Sequence, residues 1–406
     1  MSPASGTVSR RIQEVYGRTA PVLAFLTEST WARRQGEPGI SDFVVGNPHE
    51  MPLPSYVEAL RRQIEPRSAD WFAYKMSEPV AQEAVAASLN GAFEPQDIIL
   101  TTGAFAGLTV ALKTLVDAGD EVIFISPPWF FYETLIVAEG AVPVRVRVNA
   151  ADFDLNLDAI EAAITSRTRA IIVNSPNNPT GRIYPASTLE ALSKLLTRAS
   201  ETHGRPIYLL ADEAYRRIVY DGSHFVSPAE FYPHTIVIYT YGKTLLTPGQ
   251  RIGYLALPPL MHAGERAQLR SALTLAQVVT GYAFPNALLQ HALPELTSLS
   301  IDVGHLQRKR DRLVSALRGL GYDVHVPEAT FYLLPKAPVS DDLRFVEALT
   351  QHNVFVLPGT AVELPGYFRI SLTATDAMID RALPGFAAAF NAAHLSPARN
   401  GRTAVH

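Results

Sequence analysis

The 406-residue chain contains no cysteine, which removes disulfides, thiolate catalysis and cysteine-type zinc sites together. Its 11 histidines show no H-x-x-x-H or comparable ligand spacing, and His49-Glu50 lies in a proline-flanked stretch, so no metal is expected. No run approaches the roughly 18 apolar residues of a membrane span. The start, MSPASGTVSRRIQEVYGR, lacks the apolar core of a signal peptide, and a cytoplasmic protein is expected. Basic blocks are missing too: 35 Lys and Arg stand against 39 Asp and Glu, for a net charge of −4. That excludes a nucleic-acid face and favours small-molecule partners. There is no internal repeat, no low-complexity tract, no P-loop and no G-x-G-x-x-G fingerprint, which argues against a nucleotide-binding dehydrogenase.

What is present is ordinary core material, 47% hydrophobic and 18% charged, on a chain too long for one growing core. Between about residues 97 and 256, short β-branched runs alternate with helical patterns. Strands are expected at 97–101, 121–126, 142–148, 170–174, 207–211, 235–240 and 252–255. The pattern predicts an α/β fold whose large domain holds a mostly parallel seven-stranded sheet covered by helices. Leu108, Leu112 and Leu115 recur at helical spacing before Gly119-Asp120. Val142, Val144, Val146 and Val148 alternate with Arg145 and Arg147, which reads as an edge strand with one wet face.

Beyond about residue 295 the strict alternation stops. A polar helix at 301–320 carries His305, Arg308, Lys309, Arg310 and Arg312; strands follow at 331–336, 353–357 and 367–372, and a last helix runs from Asp376 towards Ala393. A smaller α+β domain built from both chain ends is expected. The division is 1–50 as its N-terminal segment, 51–295 as the large domain, 296–395 as the small C-terminal domain and 396–406 as a flexible tail. The N-terminal segment should pack on the small domain or reach a partner subunit.

Several strand ends carry residues with a use beyond packing. The run 235–240 leads into Gly242-Lys243, with Arg251 shortly beyond. A lysine so placed can form a Schiff base with an aldehyde cofactor while a hydroxyl and a guanidinium bind the cofactor's phosphate. Asp212 and Glu213 emerge from an apolar strand. Such an acid persists as an anion only beside a cation, for instance a protonated ring nitrogen; a helix N-cap is the plain alternative. Asn174-Ser175-Pro176-Asn177-Asn178-Pro179-Thr180-Gly181 sets short amides at the carboxyl edge of the sheet, where ligands bind, although the same residues are common in turns. Thr101-Thr102-Gly103-Ala104-Phe105 runs into a helix start, whose free N–H groups suit an anion. Trp129, after Pro127-Pro128, could stack on a planar ligand, while Phe130 and Phe131 read as core.

Phosphate donors, an aromatic, an amide, an acid and a lysine thus reach one sheet edge in chain order. The set resembles the class I/II aminotransferase family of fold type I pyridoxal-phosphate enzymes, whose hallmark strings look like N-P-T-G, D-E-x-Y and S-x-x-K followed by an arginine. The resemblance runs from about Asp42 to Leu372. It implies pyridoxal 5'-phosphate as cofactor, an amino acid and a 2-oxo acid as substrates, reversible transamination and a homodimer. Lys243 resembles the Schiff-base lysine that also moves the proton, and Asp212 the aspartate that keeps the pyridine nitrogen protonated. Asn178 and Tyr215 resemble the pair that hydrogen-bonds the phenolic oxygen. Gly103, Ala104, Phe105, Thr240 and Arg251 match the phosphate-binding set, and Trp129 the stacking aromatic. Arg369 matches the arginine that forks the substrate carboxylate, with Gly46 and Asn178 beside it. Tyr74 resembles a tyrosine that reaches the phosphate across a dimer interface.

Departures from the family pattern are local. Thr240 stands for the usual serine and keeps a hydroxyl; Pro79 stands where glycine is general, and the usual Leu-Arg pair downstream is missing, so substrate entry is expected to be reshaped. The same residues would serve elimination, cyclisation, decarboxylation or oxidation of an amino acid, which remains the alternative reaction. No second arginine for a dicarboxylate stands out, since Arg33, Arg34 and Lys75 read equally as surface charges. A cofactor-binding DNA sensor would need a basic helix-turn-helix ahead of Asp42, for which there is too little chain.

Overall fold

The computed structural model describes residues 6–89 and 93–395; the expected tail at 396–406 lies outside the described residues. Its strands are β1 (Ser41–Asp42), β2 (Ile98–Thr101), β3 (Glu121–Ser126), β4 (Val142–Arg147), β5 (Thr168–Asn174), β6 (Tyr208–Asp212), β7 (Thr235–Thr240), β8 (Gly253–Ala256), β9 (Tyr332–Leu333), β10 (Val354–Phe355), β11 (Leu357–Pro358) and β12 (Phe368–Ser371).

Seven of these form one sheet in the order β2-β8-β7-β6-β5-β3-β4. All neighbours run parallel except β8, which is antiparallel to both β2 and β7. The inner strands are buried along nearly their whole length because helices cover both faces, which is why their sequences are continuous apolar runs rather than alternating ones. The period of two still decides which face each residue takes. Ile236 and Ile238 pack with Leu108 and Leu112 of the helix Ala104–Leu115, whereas Val237 and Tyr239 pack on the other face with Tyr56, Val85 and Leu293. β2 and β4 are the edge strands; β2 is buried throughout, whereas in β4 only Val146 is buried and Val142 is exposed. Its Arg145 reaches outward to Glu133 and Glu363.

A second assembly joins the two ends of the chain. β1 pairs in parallel with β10, and β12 lies antiparallel between β11 and β9. Phe43, Tyr322, Phe345, Phe368 and Phe386 make one core there with the helix Val303–Gly319. The basic character of that helix is only partly a solvated face. Lys309 and Arg310 are buried, with Lys309 Nζ 2.6 Å from Glu50 and Arg310 Nη1 2.6 Å from Asp221. The helix Arg10–Glu28, for which the sequence reading assigns no element, is capped by Ser9 and leans on the helix Tyr132–Ala138 through Arg18–Glu133 at 2.6 Å and Thr19–Thr134 at 3.1 Å. Among the described residues no helix is long and apolar enough to cross a membrane, and no group of His, Asp and Glu could hold a metal ion.

Candidate active site

Register brings the polar strand ends together. Asn174 of β5 pairs with Asp212 of β6, and Asp212 with Ile238 of β7, so side chains at the carboxyl edge converge although they are far apart in sequence. Asp212 is buried; Oδ2 accepts from the Tyr132 hydroxyl at 2.6 Å and Oδ1 from the Ala214 N–H at 3.2 Å. Burial pushes its carboxyl above the usual range, while those donors and the Lys243 ammonium pull it back down. Asn174 clamps the neighbouring loop. Its Nδ2 donates to the Asp212 carbonyl at 2.8 Å and its Oδ1 accepts from Asn178 N–H at 2.8 Å. Lys243 sits in the short turn Tyr241–Thr244 directly after β7, with Nζ 5.7 Å from the ring centres of both Tyr215 and Phe331.

One end of the site suits an anion. The helix Ala104–Leu115 opens without a side-chain cap, and Gly103 before it has φ of 95°, a backbone that only glycine adopts freely. A Cβ on Gly103 would lie 2.8 Å from Arg251 Nη2 and 3.4 Å from Thr240 Oγ1. The uncapped amides, the hydroxyl and the guanidinium therefore face one small space. Arg251 Nη1 donates to the Pro248 carbonyl at 2.7 Å, and no carboxylate among the described residues pairs with it.

The second anion position is more deeply buried. Arg369, from β12, is 2% exposed. Its Nη1 donates to Asn178 Oδ1 at 2.9 Å and its Nη2 to the Val44 carbonyl at 3.0 Å, and Nε has no partner. Its guanidinium lies 4.0 Å from the Tyr332 ring centre. A buried guanidinium with only neutral partners is short of an anion. The Tyr332 hydroxyl would be raised by burial, but Arg369, Lys243 and the hydrogen bond from Tyr215 bring it below its ordinary value. Burial pushes the Tyr215 hydroxyl well above its own ordinary value. Gly46 makes room here: a Cβ would lie 2.6 Å from Tyr332 Oη and 2.7 Å from Phe331 Cε2.

Gly46, Ala104, Phe105, Trp129, Asn178, Asp212, Tyr215, Thr240, Lys243, Arg251 and Arg369 line one cavity of about 260 Å³, and Gly103 stands directly behind Arg251 and Thr240. Tyr74 does not line it. That residue is 86% exposed and rests on Phe284, with ring centres 4.8 Å apart. Phe130, expected in the core, is half-buried: it packs against the cluster of Val22, Trp31 and Phe355 and also lines the cavity. Sequence reasoning missed Tyr132, Tyr332 and the Val44 carbonyl. Tyr132 follows Trp129-Phe130-Phe131 and could have been flagged by that aromatic string; nothing near Tyr332 or Val44 marks them.

The donor set fits pyridoxal 5'-phosphate. A buried carboxylate, an amine lining the same cavity, an uncapped helix start with hydroxyl and guanidinium, and an orphaned arginine Nε suit the ring nitrogen, the aldehyde, the phosphate and a substrate carboxylate.

The model of the family "Aminotransferase class I and II" matches residues 39–386. The aspartate/prephenate aminotransferase of Thermus thermophilus is 32% identical over 394 residues, covering 94% of this chain and 98% of that protein. Among solved structures, an amino transferase from Eubacterium rectale superposes with a TM-score of 0.83 at 30% identity, covering 95% of this chain and 96% of that one. The aspartate aminotransferase of Rhizobium meliloti superposes at 0.77 with 29% identity, covering 96% and 99%. This chain belongs to the class I and II aminotransferase family, whose enzymes use pyridoxal 5'-phosphate.

Proposed function

We propose that this aminotransferase moves an amino group reversibly between an L-amino acid and a 2-oxo acid, with Lys243 as the amine that carries the cofactor and the proton. The observation behind the assignment is that Lys243 and the buried Asp212 line the same cavity as two guanidiniums that have no carboxylate partner, Arg251 and Arg369. When bound, pyridoxal phosphate supplies an electron sink for the electrons left on the substrate α-carbon as its proton departs.

The protein's part follows from its own groups. Asp212, held by Tyr132 and Ala214, supplies a negative charge to the ring nitrogen. Asn178 and Tyr215 would hold the ring oxygen, and Trp129 would stack on the ring. Gly103, Ala104 and Phe105 with Thr240 and Arg251 would hold the phosphate. Arg369 would fork the substrate carboxylate, and Lys243, whose amine lines the same cavity, would take up the α-carbon proton. The names of the curated relatives specify aspartate, and several add prephenate; only the amino transfer is carried over from them here.

The chain is further proposed to work as two units, residues 51–295 holding most cofactor ligands and residues 1–50 with 296–395 bringing Gly46 and Arg369, supported by the β1–β10 pairing. A homodimer is part of the same reading, with Tyr74 reaching a neighbouring subunit's phosphate.

Lys243→Ala should lower amino transfer by about 10²–10⁴-fold or more, the scale of a lost general base. Borohydride treatment of the wild-type holoenzyme should fix the cofactor's mass on the Lys243 peptide. An adduct elsewhere would remove Lys243 from the mechanism. Equal yields of oxo acid and new amino acid mark transamination; ammonia or peroxide release would mark the alternative reactions.

A further inference from the structure

We infer that Glu363 is a positioning residue for the substrate carboxylate, holding the loop that leads into Arg369 against the strand end that leads into Trp129; this rests on the aminotransferase reading and adds a residue to it. Lys243 directly follows β7 of the large sheet, whereas Arg369 stands on β12 of the second assembly. The spacing of the two is therefore set by contacts between the assemblies. Proton transfer is sensitive to a misplacement of about 1 Å.

The loop between β11 and β12 is braced from within. Buried Asp342 accepts from the Thr360 N–H and hydroxyl at 2.8 Å each and from the Gly366 N–H at 3.1 Å. Glu363 lies between them with φ of 60°, a left-handed backbone that favours glycine and that other residues keep where their surroundings hold them. Its partners lie on the large sheet. Glu363 Oε2 accepts from Ser126 Oγ at 2.9 Å and lies 2.6 Å from Arg145 Nε, and its carbonyl accepts from Arg147 Nη1 at 3.4 Å.

Ser126 ends β3 and runs through Pro127-Pro128 into Trp129 and Phe130, which line the cavity. On the other side, Ala361 and Val362, just before Glu363, belong to the apolar cluster that Phe130 packs against. Val44, whose carbonyl takes Arg369 Nη2, is in the same cluster. One short segment thus ties the carboxylate site to the wall opposite. Arg145 is 40% exposed and shared with Glu133, so the ion pair adds little to folding and its effect falls on the geometry of the site.

The test uses the holoenzyme and two amino acids with no α-hydrogen to lose, α-methylaspartate and α-methylleucine, titrated against the visible absorbance of the bound cofactor. Glu363→Gly suits the left-handed backbone and should fold as the wild type does. It should bind the better analogue about fivefold more weakly, the scale of one weakened hydrogen bond, and KM for the best amino donor should rise by the same factor. Ser126→Ala, which removes a partner from the other side, should also weaken binding, and the double variant should lose less than the two single losses combined. Affinity for pyridoxal phosphate should not change, because its proposed phosphate ligands stand on the large sheet. Unchanged analogue binding and KM in Glu363→Gly overturn the inference, and so does an equal loss of pyridoxal phosphate affinity, which would mark general loosening. If no donor yields an oxo acid, the aminotransferase reading falls, while the analogue titration still decides the role of Glu363.

Discussion

Asp212 shows what a buried carboxyl costs the fold. Burial raises its carboxyl against the pull of Tyr132, Ala214 and Lys243, and the linkage has a definite sign. A carboxyl whose pKa rises on folding binds more protons in the folded chain. Stability therefore falls as pH climbs from the unfolded value through the folded one, and stays lower above it. Asp212→Asn removes the charge and leaves an amide that can still bond with Tyr132 or Ala214. Without cofactor, that variant should be more stable than the wild type at neutral pH by on the order of 1–2 kcal/mol, with the gap closing in acid. Calorimetric melting across pH checks this. With cofactor the order should invert, because the ring nitrogen loses its counter-charge. Lys243 and Asp212 were legible in the sequence because each ends an apolar run and carries its own local string. Tyr332 was not: its contacts with Arg369, Tyr215 and Gly46 are all long-range.

At the level of elements, β8 is the piece that packs most tightly behind Gly103 and Thr240. Gly253 pairs with Thr101 on one side and Thr240 on the other, and a Cβ there would lie 2.2 Å from the Tyr239 carbonyl and 2.9 Å from Gly103 Cα. Gly253→Ala must spread β2, which leads into Gly103, from β7, which ends at Thr240. The expected loss is about 1–3 kcal/mol of stability with roughly tenfold weaker cofactor binding, read by melting and by titration with pyridoxal phosphate. Gly249→Ala, which meets nothing within 4 Å, is the control. Strands of the large sheet were readable because they are short β-branched runs bounded by turn residues. The departure at Pro79 has a local explanation: it begins the helix Pro79–Ser88, where a missing N–H is harmless. The helix Arg10–Glu28 escaped notice because only two of its residues, Thr19 and Val22, are buried, leaving little of an apolar stripe to read.

For the whole molecule the point at issue is the proposed dimer. Leu275, Val278 and Val279 of one helix are each more than half exposed, as is Phe72, and the exposed Tyr74 rests on Phe284; we propose that these side chains meet a second copy of the chain. Sedimentation at micromolar concentration should give a dimer, and Val279→Glu should produce monomers that bind cofactor more weakly, since Tyr74 then has no neighbour to reach. A wild type that sediments as a monomer with full activity would remove both the dimer and that role for Tyr74. By itself the sequence determined the α/β class, the family likeness and most of the cavity-lining set, because strand periodicity and strand-end strings are local properties of the chain. Only the tertiary structure decided that Arg369 stacks on Tyr332, that Tyr132 bonds Asp212, that Phe130 lines the cavity and that Arg34 and Lys75 are already paired. The reason is that a side chain's partner and the direction it faces are set by packing between distant segments, and no stretch of sequence records them.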